Sequence, residues 1–244
     1  MSNQTKPIAA TRRQFIQRAV IGGGSLALAG GATRALGAAC GIVTPKQVMG
    51  PFYPTEDQLE EWTDQDWNLV RKGESVDAAK VQVLYVRGYV EGPDCKRLKG
   101  ASVELWQACA TGRYNHPGDA ENHSELDENF QYYAEQLTDD QGRFFFKTIL
   151  PGGYQADTNW FRPPHLHFKC VKKGYLDLVT QMYFEGNEFN DNDLILKKVP
   201  LAQRAEVVRK LEEVPTEPDP LLLFEDEYEK DSLVARFDLR LQKP

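Results

Sequence analysis

Six short runs rich in Val, Phe, Tyr and Leu constrain this chain more than any other feature. They cover 81–90, 102–107, 143–149, 165–171, 178–184 and 233–241. Turn chemistry separates them: Glu91-Gly92-Pro93-Asp94, Thr138-Asp139-Asp140-Gln141-Gly142 and Pro151-Gly152-Gly153. Gly supplies positive φ and Pro presets a turn, so such strings end strands rather than extend them. Many short strands with no alternating helices predict an all-β fold, a β-sandwich of mainly antiparallel strands with long loops. One or two short helices are expected beside it. One lies in the polar stretch 55–80; the other spans 201–214, where Ala205, Val208 and Leu211 recur at helical spacing before Pro215.

The amino terminus has a different character. Residues 1–39 hold Lys6, Arg12, Arg13, Arg18 and Arg34 and no acid, within a chain of 244 residues and net charge −7. The rest therefore carries −12, a poor match for phosphate backbones, and nucleic-acid binding is excluded first. Thr11-Arg12-Arg13-Gln14-Phe15-Ile16, then a Gly- and Ala-rich stretch from Ala19 to Gly31, then small residues near Gly37, form a twin-arginine (Tat) export pattern. Thirteen Gly-rich residues fall short of the roughly 20 apolar residues of a membrane span. The expected organisation is a signal at 1–39, a loop and helical segment at 40–80 packing on the core, and the sandwich at 81–244. Export to the periplasm follows, with no stable membrane span in the mature form. Lipid anchoring at Cys40 is the alternative, although Gly37 stands where a lipobox takes Leu. The four cysteines, Cys40, Cys95, Cys109 and Cys170, form no CxxC pair, which disfavours structural zinc. Cys109 and Cys170 lie in apolar runs and are expected to be buried free thiols.

The strongest chemical signal is Arg162-Pro163-Pro164-His165-Leu166-His167-Phe168. On a strand, His165 and His167 share a face with Cα atoms about 6.7 Å apart, close enough for two imidazoles to bind one ion. Alone, the pair is equally a polar stripe on a solvated sheet. Tyr114 and Tyr154 each follow an apolar run at a strand–loop junction, where functional groups concentrate. A tyrosinate is a hard anionic oxygen donor, and a trivalent cation can deprotonate it far below its free pKa of about 10. Two His and two tyrosinates would favour Fe(III).

The chain resembles the intradiol ring-cleavage dioxygenases. The matching strings are Gly50-Pro51-Phe52-Tyr53-Pro54, Val103-Glu104-Leu105-Trp106-Gln107-Ala108 running on to Gly112-Arg113-Tyr114-Asn115-His116, Thr138-Asp139 with Gly142, and Thr148-Ile149 with Pro151-Gly152 and Tyr154. They continue with the His165/His167 run, Thr180-Gln181-Met182-Tyr183-Phe184 and Ala235-Arg236-Phe237-Asp238. The resemblance spans roughly residues 44 to 241, in order. It implies a mononuclear, non-haem Fe(3+) enzyme that opens a catechol-type substrate between its hydroxylated carbons with O2, giving a cis,cis-muconate-type diacid. By position, Tyr114, Tyr154, His165 and His167 are the implied metal ligands, with Tyr154 the one that leaves when substrate binds. Arg162 is implied to stabilise developing charge and Gln181 to support it, while Gly50, Phe52 and Tyr53 are candidates for the substrate pocket. A homo-oligomer is compatible with the sequence.

The length resembles the protocatechuate 3,4-dioxygenase-like branch. Yet only ten residues separate Tyr154 from His165, Gln155-Ala156 replace bulkier residues, and no carboxylate-binding group can be identified. A neutral or alkyl-substituted catechol is therefore expected to suit the site as well as protocatechuate, with Trp160 and Phe161 packing on its substituent. Two rival readings are a non-catalytic exported β-sandwich binding module and a zinc metallo-hydrolase built on the two histidines.

Overall fold

Period-two alternation along the central strands decides the architecture. A computed structural model describes residues 41–73, 79, 81–225 and 227–244. The expected signal and Cys40 lie outside the described residues. After a loop, helix α1 (Glu56–Glu61) starts on a capping box: Thr55 accepts from Gln58 N while Gln58 Oε1 accepts from Thr55 N. Strand β1 (Val83–Glu91) follows, then β2 (Ser102–Trp106), β3 (Tyr133–Leu137), β4 (Arg143–Ile149), a small hairpin of β5 (Tyr154–Asp157) and β6 (Trp160–Arg162), β7 (His165–Val171) and β8 (Leu178–Phe184). Short strands β9 (Val208–Arg209), β10 (Glu212–Glu213), β11 (Leu233–Arg236) and β12 (Leu239–Arg240) complete the chain.

Two sheets result. In the first, β1 pairs antiparallel with β4 on one side and parallel with β11, then β12, on the other, and β10 flanks β11. The second runs β3-β2-β7-β8-β9. Leu84 and Val86, Phe144 and Phe146, Leu105, Leu166, Phe168 and Met182 fill the layer between them. The opposite-phase residues Tyr85 and Phe145 pack under the segment that includes Leu222 and Tyr228. This is the expected β-sandwich, mainly antiparallel, with three parallel ladders that the sequence reading did not anticipate.

The helix expected at 201–214 does not form. A 3-10 turn, Leu201–Glu206, gives way to β9 and β10. β-Branched Val207 and Val208 follow, and β9 pairs with the edge of β8, Tyr183 opposite Val208. Edge pairing satisfies backbone groups that an isolated short helix would leave open. Cys109 and Cys170 are buried and free, as expected, and Cys95 is disulfide-bonded.

Candidate metal centre

Strand β7 is buried on both faces, so its two phases do different work. Leu166, Phe168 and Cys170 face the inter-sheet core. His165 and His167 take the other phase, which loops cover. Register places His167 between Trp106 on β2 and Gln181 on β8, and His165 beside Tyr183. Pro164 biases the backbone before the strand to extended geometry. The indole of Trp106 stacks on His167 with centroids 4.8 Å apart and planes 13° from parallel. His165 Nδ1 lies 2.7 Å from the carbonyl of Pro163. A carbonyl only accepts, so the proton sits on Nδ1 and Nε2 presents its lone pair. Burial first, and the neighbouring Arg162 after it, hold His165 well below the usual imidazole pKa. Burial, His165 and Arg162 do the same for His167. Both rings are therefore neutral.

Glycines bring the two tyrosines to these rings. Gly112 has φ +85°, and a Cβ there would lie 2.3 Å from the carbonyl oxygen of Gly153. The turn before Tyr114 thus meets the turn before Tyr154 backbone to backbone, an approach only glycine permits. The two phenol rings stand 5.7 Å apart and perpendicular. Tyr154 opens the β5–β6 hairpin directly opposite Arg162, which explains the short spacing between Tyr154 and His165. Tyr114 Oη lies 3.1 Å from His167 Nε2, which lies 3.1 Å from His165 Nε2. The Tyr154 ring is 5.8 Å from that of His165. Burial raises the pKa of both phenols, and at Tyr154 Arg162 opposes that rise.

This donor set fits a metal ion. Bonds of about 2.1 Å place two adjacent ligands at right angles roughly 3.0 Å apart, close to the observed 3.1 Å steps. Among the described residues, no group of three or more His, Cys, Asp or Glu is placed to hold an ion, and the donors gathered here are two imidazoles and two phenols. His167 Nδ1 is buried without a hydrogen-bond partner, so its contacts to the other donors run through Nε2 alone.

Arg162 is 2% exposed and every nitrogen of its guanidinium is engaged. Nη1 donates to His165 Nε2 (2.9 Å), Nη2 to Gln181 Oε1 (2.7 Å) and Tyr183 Oη (3.2 Å), and Nε to Asp193 Oδ2 (3.0 Å). Burial works against its charge, but Tyr154, Tyr183 and Asp193 hold its pKa above the ordinary value. Asp193, fully buried, also accepts from Trp160 Nε1 and from the backbone N–H of Ile195 and Leu196. Asp193, Tyr183 and Asp119, whose carboxylate accepts from Tyr114 N at 2.7 Å, were missed by sequence reasoning. Each is an ordinary residue type whose partner is distant in sequence or lies on the backbone.

A cavity of about 720 Å³ opens beside the centre, and Gly50, Phe52, Tyr154 and Arg162 line it. Phe52 packs on both tyrosines, 4.6 Å from Tyr114 and 6.0 Å from Tyr154. Tyr53 is not among the lining residues. It packs edge-on against Trp106, and its hydroxyl donates to Glu104. Gln181, also absent from the lining, is fully buried and meets the site through Arg162.

Fold and site together define a β-sandwich that gathers two imidazoles and two phenols at the edge of a cavity of about 720 Å³. A family model described as Dioxygenase matches residues 48–243. The chain belongs to that family, the intradiol ring-cleavage dioxygenases. It is 34% identical to the protocatechuate 3,4-dioxygenase beta chain of Burkholderia cepacia, over 72% of this chain and 74% of that one. It is 26% identical to a catechol 1,2-dioxygenase of Candida albicans, over 62% of this chain and 50% of that one. The chain thus spans about half the length of that catechol relative. The crystal structure of catechol 1,2-dioxygenase from Pseudomonas arvilla C-1 shares the fold, with TM-score 0.59 and 24% identity over 82% of this chain and 62% of that one.

Proposed function

We propose that the protein cleaves a catechol ring between its two hydroxylated carbons with O2, yielding a cis,cis-muconate-type diacid that carries both oxygen atoms. The observation that carries this reading is the run of donors from Tyr114 Oη through His167 Nε2 to His165 Nε2, beside a cavity lined by Tyr154 and Arg162. Tyr114, Tyr154, His165 and His167 would hold a mononuclear ferric ion, and the two phenolates would offset most of its charge inside the protein. Bound ferric iron supplies the Lewis acidity that ionises a catechol and makes its ring reactive toward O2.

The chain's own groups divide the remaining work. Tyr114 is the buried phenol, fixed through its backbone by Asp119, and supports a permanent role. Tyr154 faces the cavity, so its phenolate oxygen is the base an arriving catechol meets, and it takes one hydroxyl proton. Arg162 offers a fixed positive charge beside the developing anion, already oriented by Asp193, Gln181 and Tyr183. Trp106 and the Pro163 carbonyl keep the imidazoles in the ligating orientation. The test is product analysis after aerobic incubation with catechol. A colourless muconate-type diacid is expected; a yellow semialdehyde or unreacted catechol would overturn the proposal.

Export by the twin-arginine route is the second part of the reading. It rests on Arg12-Arg13 and the Gly-rich stretch behind them, and the disulfide at Cys95 fits an oxidising compartment. Among the described residues, no helix is long and apolar enough to cross a membrane. Changing Arg12 and Arg13 to Lys should retain the protein in the cytoplasm; unchanged periplasmic levels would refute the route.

A further inference from the structure

The cavity's charge balance and size say more about the substrate than the ligand set does. Its wall carries two carboxylates, Asp119 and Glu121, and one arginine, Arg162, with no lysine among the lining residues. Nε and Nη2 of Arg162 are hydrogen-bonded to Asp193, Gln181 and Tyr183, and Nη1 points at His165, where the proposed reaction already uses its charge. The other basic side chain on the wall, His123, is exposed, so water solvates it. A carboxylate on the ring would lie opposite the two hydroxyls, away from the metal ligands. On this wall it would find Asp119 and the exposed Glu121 and no lysine or uncommitted arginine, so its charge would go unpaired.

Apolar surface is plentiful instead. Trp160 and Phe161 from the β5–β6 hairpin and Phe52 from the facing loop line the same cavity. Phe161 is backed by Phe189 at 4.4 Å, so the hairpin wall is a supported aromatic surface. The volume of about 720 Å³ falls in the range of about 300–1,000 Å³ that accommodates drug-sized ligands, well beyond one six-membered ring.

We infer that the preferred substrate is an uncharged catechol bearing a bulky apolar substituent, such as an aryl group, seated against the Trp160–Phe161 wall. The inference rests on the ring-cleavage reading above. It runs against the similarity to a protocatechuate enzyme, because protocatechuate carries the carboxylate this wall does not pair.

The test uses the purified holoprotein with catechol, 4-phenylcatechol and protocatechuate. Dissociation constants come from optical titration under nitrogen and kcat/KM from assays in air, at two ionic strengths. 4-Phenylcatechol should bind at least tenfold more tightly than catechol and exceed protocatechuate at least tenfold in kcat/KM. Ala156→Arg, which puts a cation on the wall, should raise the protocatechuate-to-catechol ratio of kcat/KM at least tenfold. A smaller preference for 4-phenylcatechol in either comparison, or an unchanged ratio in A156R, overturns the inference and leaves ring cleavage standing. If none of the three compounds changes the spectrum or is turned over, the ring-cleavage reading itself falls.

Discussion

Asp193→Ala should be among the most damaging single changes outside the four proposed metal ligands. The carboxylate is fully buried and pairs with the Nε of Arg162, itself 3% exposed along its side chain. Truncation leaves a buried guanidinium without its counter-charge, which costs about 3–5 kcal/mol. It also strips the acceptor from the N–H groups of Ile195 and Leu196, adding about 1 kcal/mol. At roughly 2–4 °C per kcal/mol for a domain of this size, the melting temperature should fall by about 8–24 °C. Asp193→Asn keeps an oxygen in place and should cost about half as much. Catalysis suffers separately, because Arg162 loses a restraint on its position, and kcat should fall about a hundredfold with little change in KM. Urea denaturation gives the stability change and steady-state assay the kinetic one. The decisive comparison is the double variant Arg162→Met/Asp193→Ala, which removes both charges and should recover at least 2 kcal/mol relative to D193A. If D193A loses less than 1 kcal/mol, or the double variant is no more stable than D193A, the ion pair does not hold Arg162 as argued.

Tyr114→Phe and Tyr154→Phe should each weaken or shift the visible absorption of the iron-loaded protein, and unchanged spectra with full iron content in both would remove the phenols from the centre. Gly112→Ala should cost about 1–2 kcal/mol from the left-handed backbone alone and should also push the Gly153 turn away, lowering iron retention; normal iron content would show that the contact does not position Tyr154. Burial raises the carboxyl pKa of Asp219, but hydrogen bonds from Tyr228, Arg87 and Leu221 N override it and leave the value below the usual one. A depressed carboxyl pKa means its stabilisation is complete above about pH 4 and is lost as pH falls further. Asp219→Asn should therefore flatten the acid limb of the stability–pH curve, and an unaltered limb would discount that pairing.

Much of this architecture was legible because the strands are strongly patterned. Five of the six apolar runs became single strands within two residues of the sequence boundaries, and the sixth became β11 and β12, separated by Phe237-Asp238. The histidine pair was legible because HxH on a strand puts both side chains on one face. Strand β3, Tyr133-Ala134-Glu135-Gln136-Leu137, carries Ala, Glu and Gln, which give no β signal by themselves, and register with β2 makes it a strand. The β5–β6 hairpin was hidden because Gln155, Ala156 and Asp157 form an exposed, polar strand without apolar alternation. Asp193 could not be distinguished from its neighbours Asp191 and Asn192, since its role arises only when β6 delivers Arg162 from 31 positions away. The helical spacing near Ala205 was a true local pattern that the open edge of β8 overrode.

The central claim is that Tyr114, Tyr154, His165 and His167 form one ferric centre that receives a catechol. The visible spectrum of the purified, iron-loaded protein tests it most directly, recorded before and after catechol is added under nitrogen. A phenolate-to-iron charge-transfer band should be present at the start, and it should shift and broaden toward longer wavelength when catechol displaces Tyr154. A colourless protein that binds iron, or a band that catechol leaves unmoved, would contradict the account.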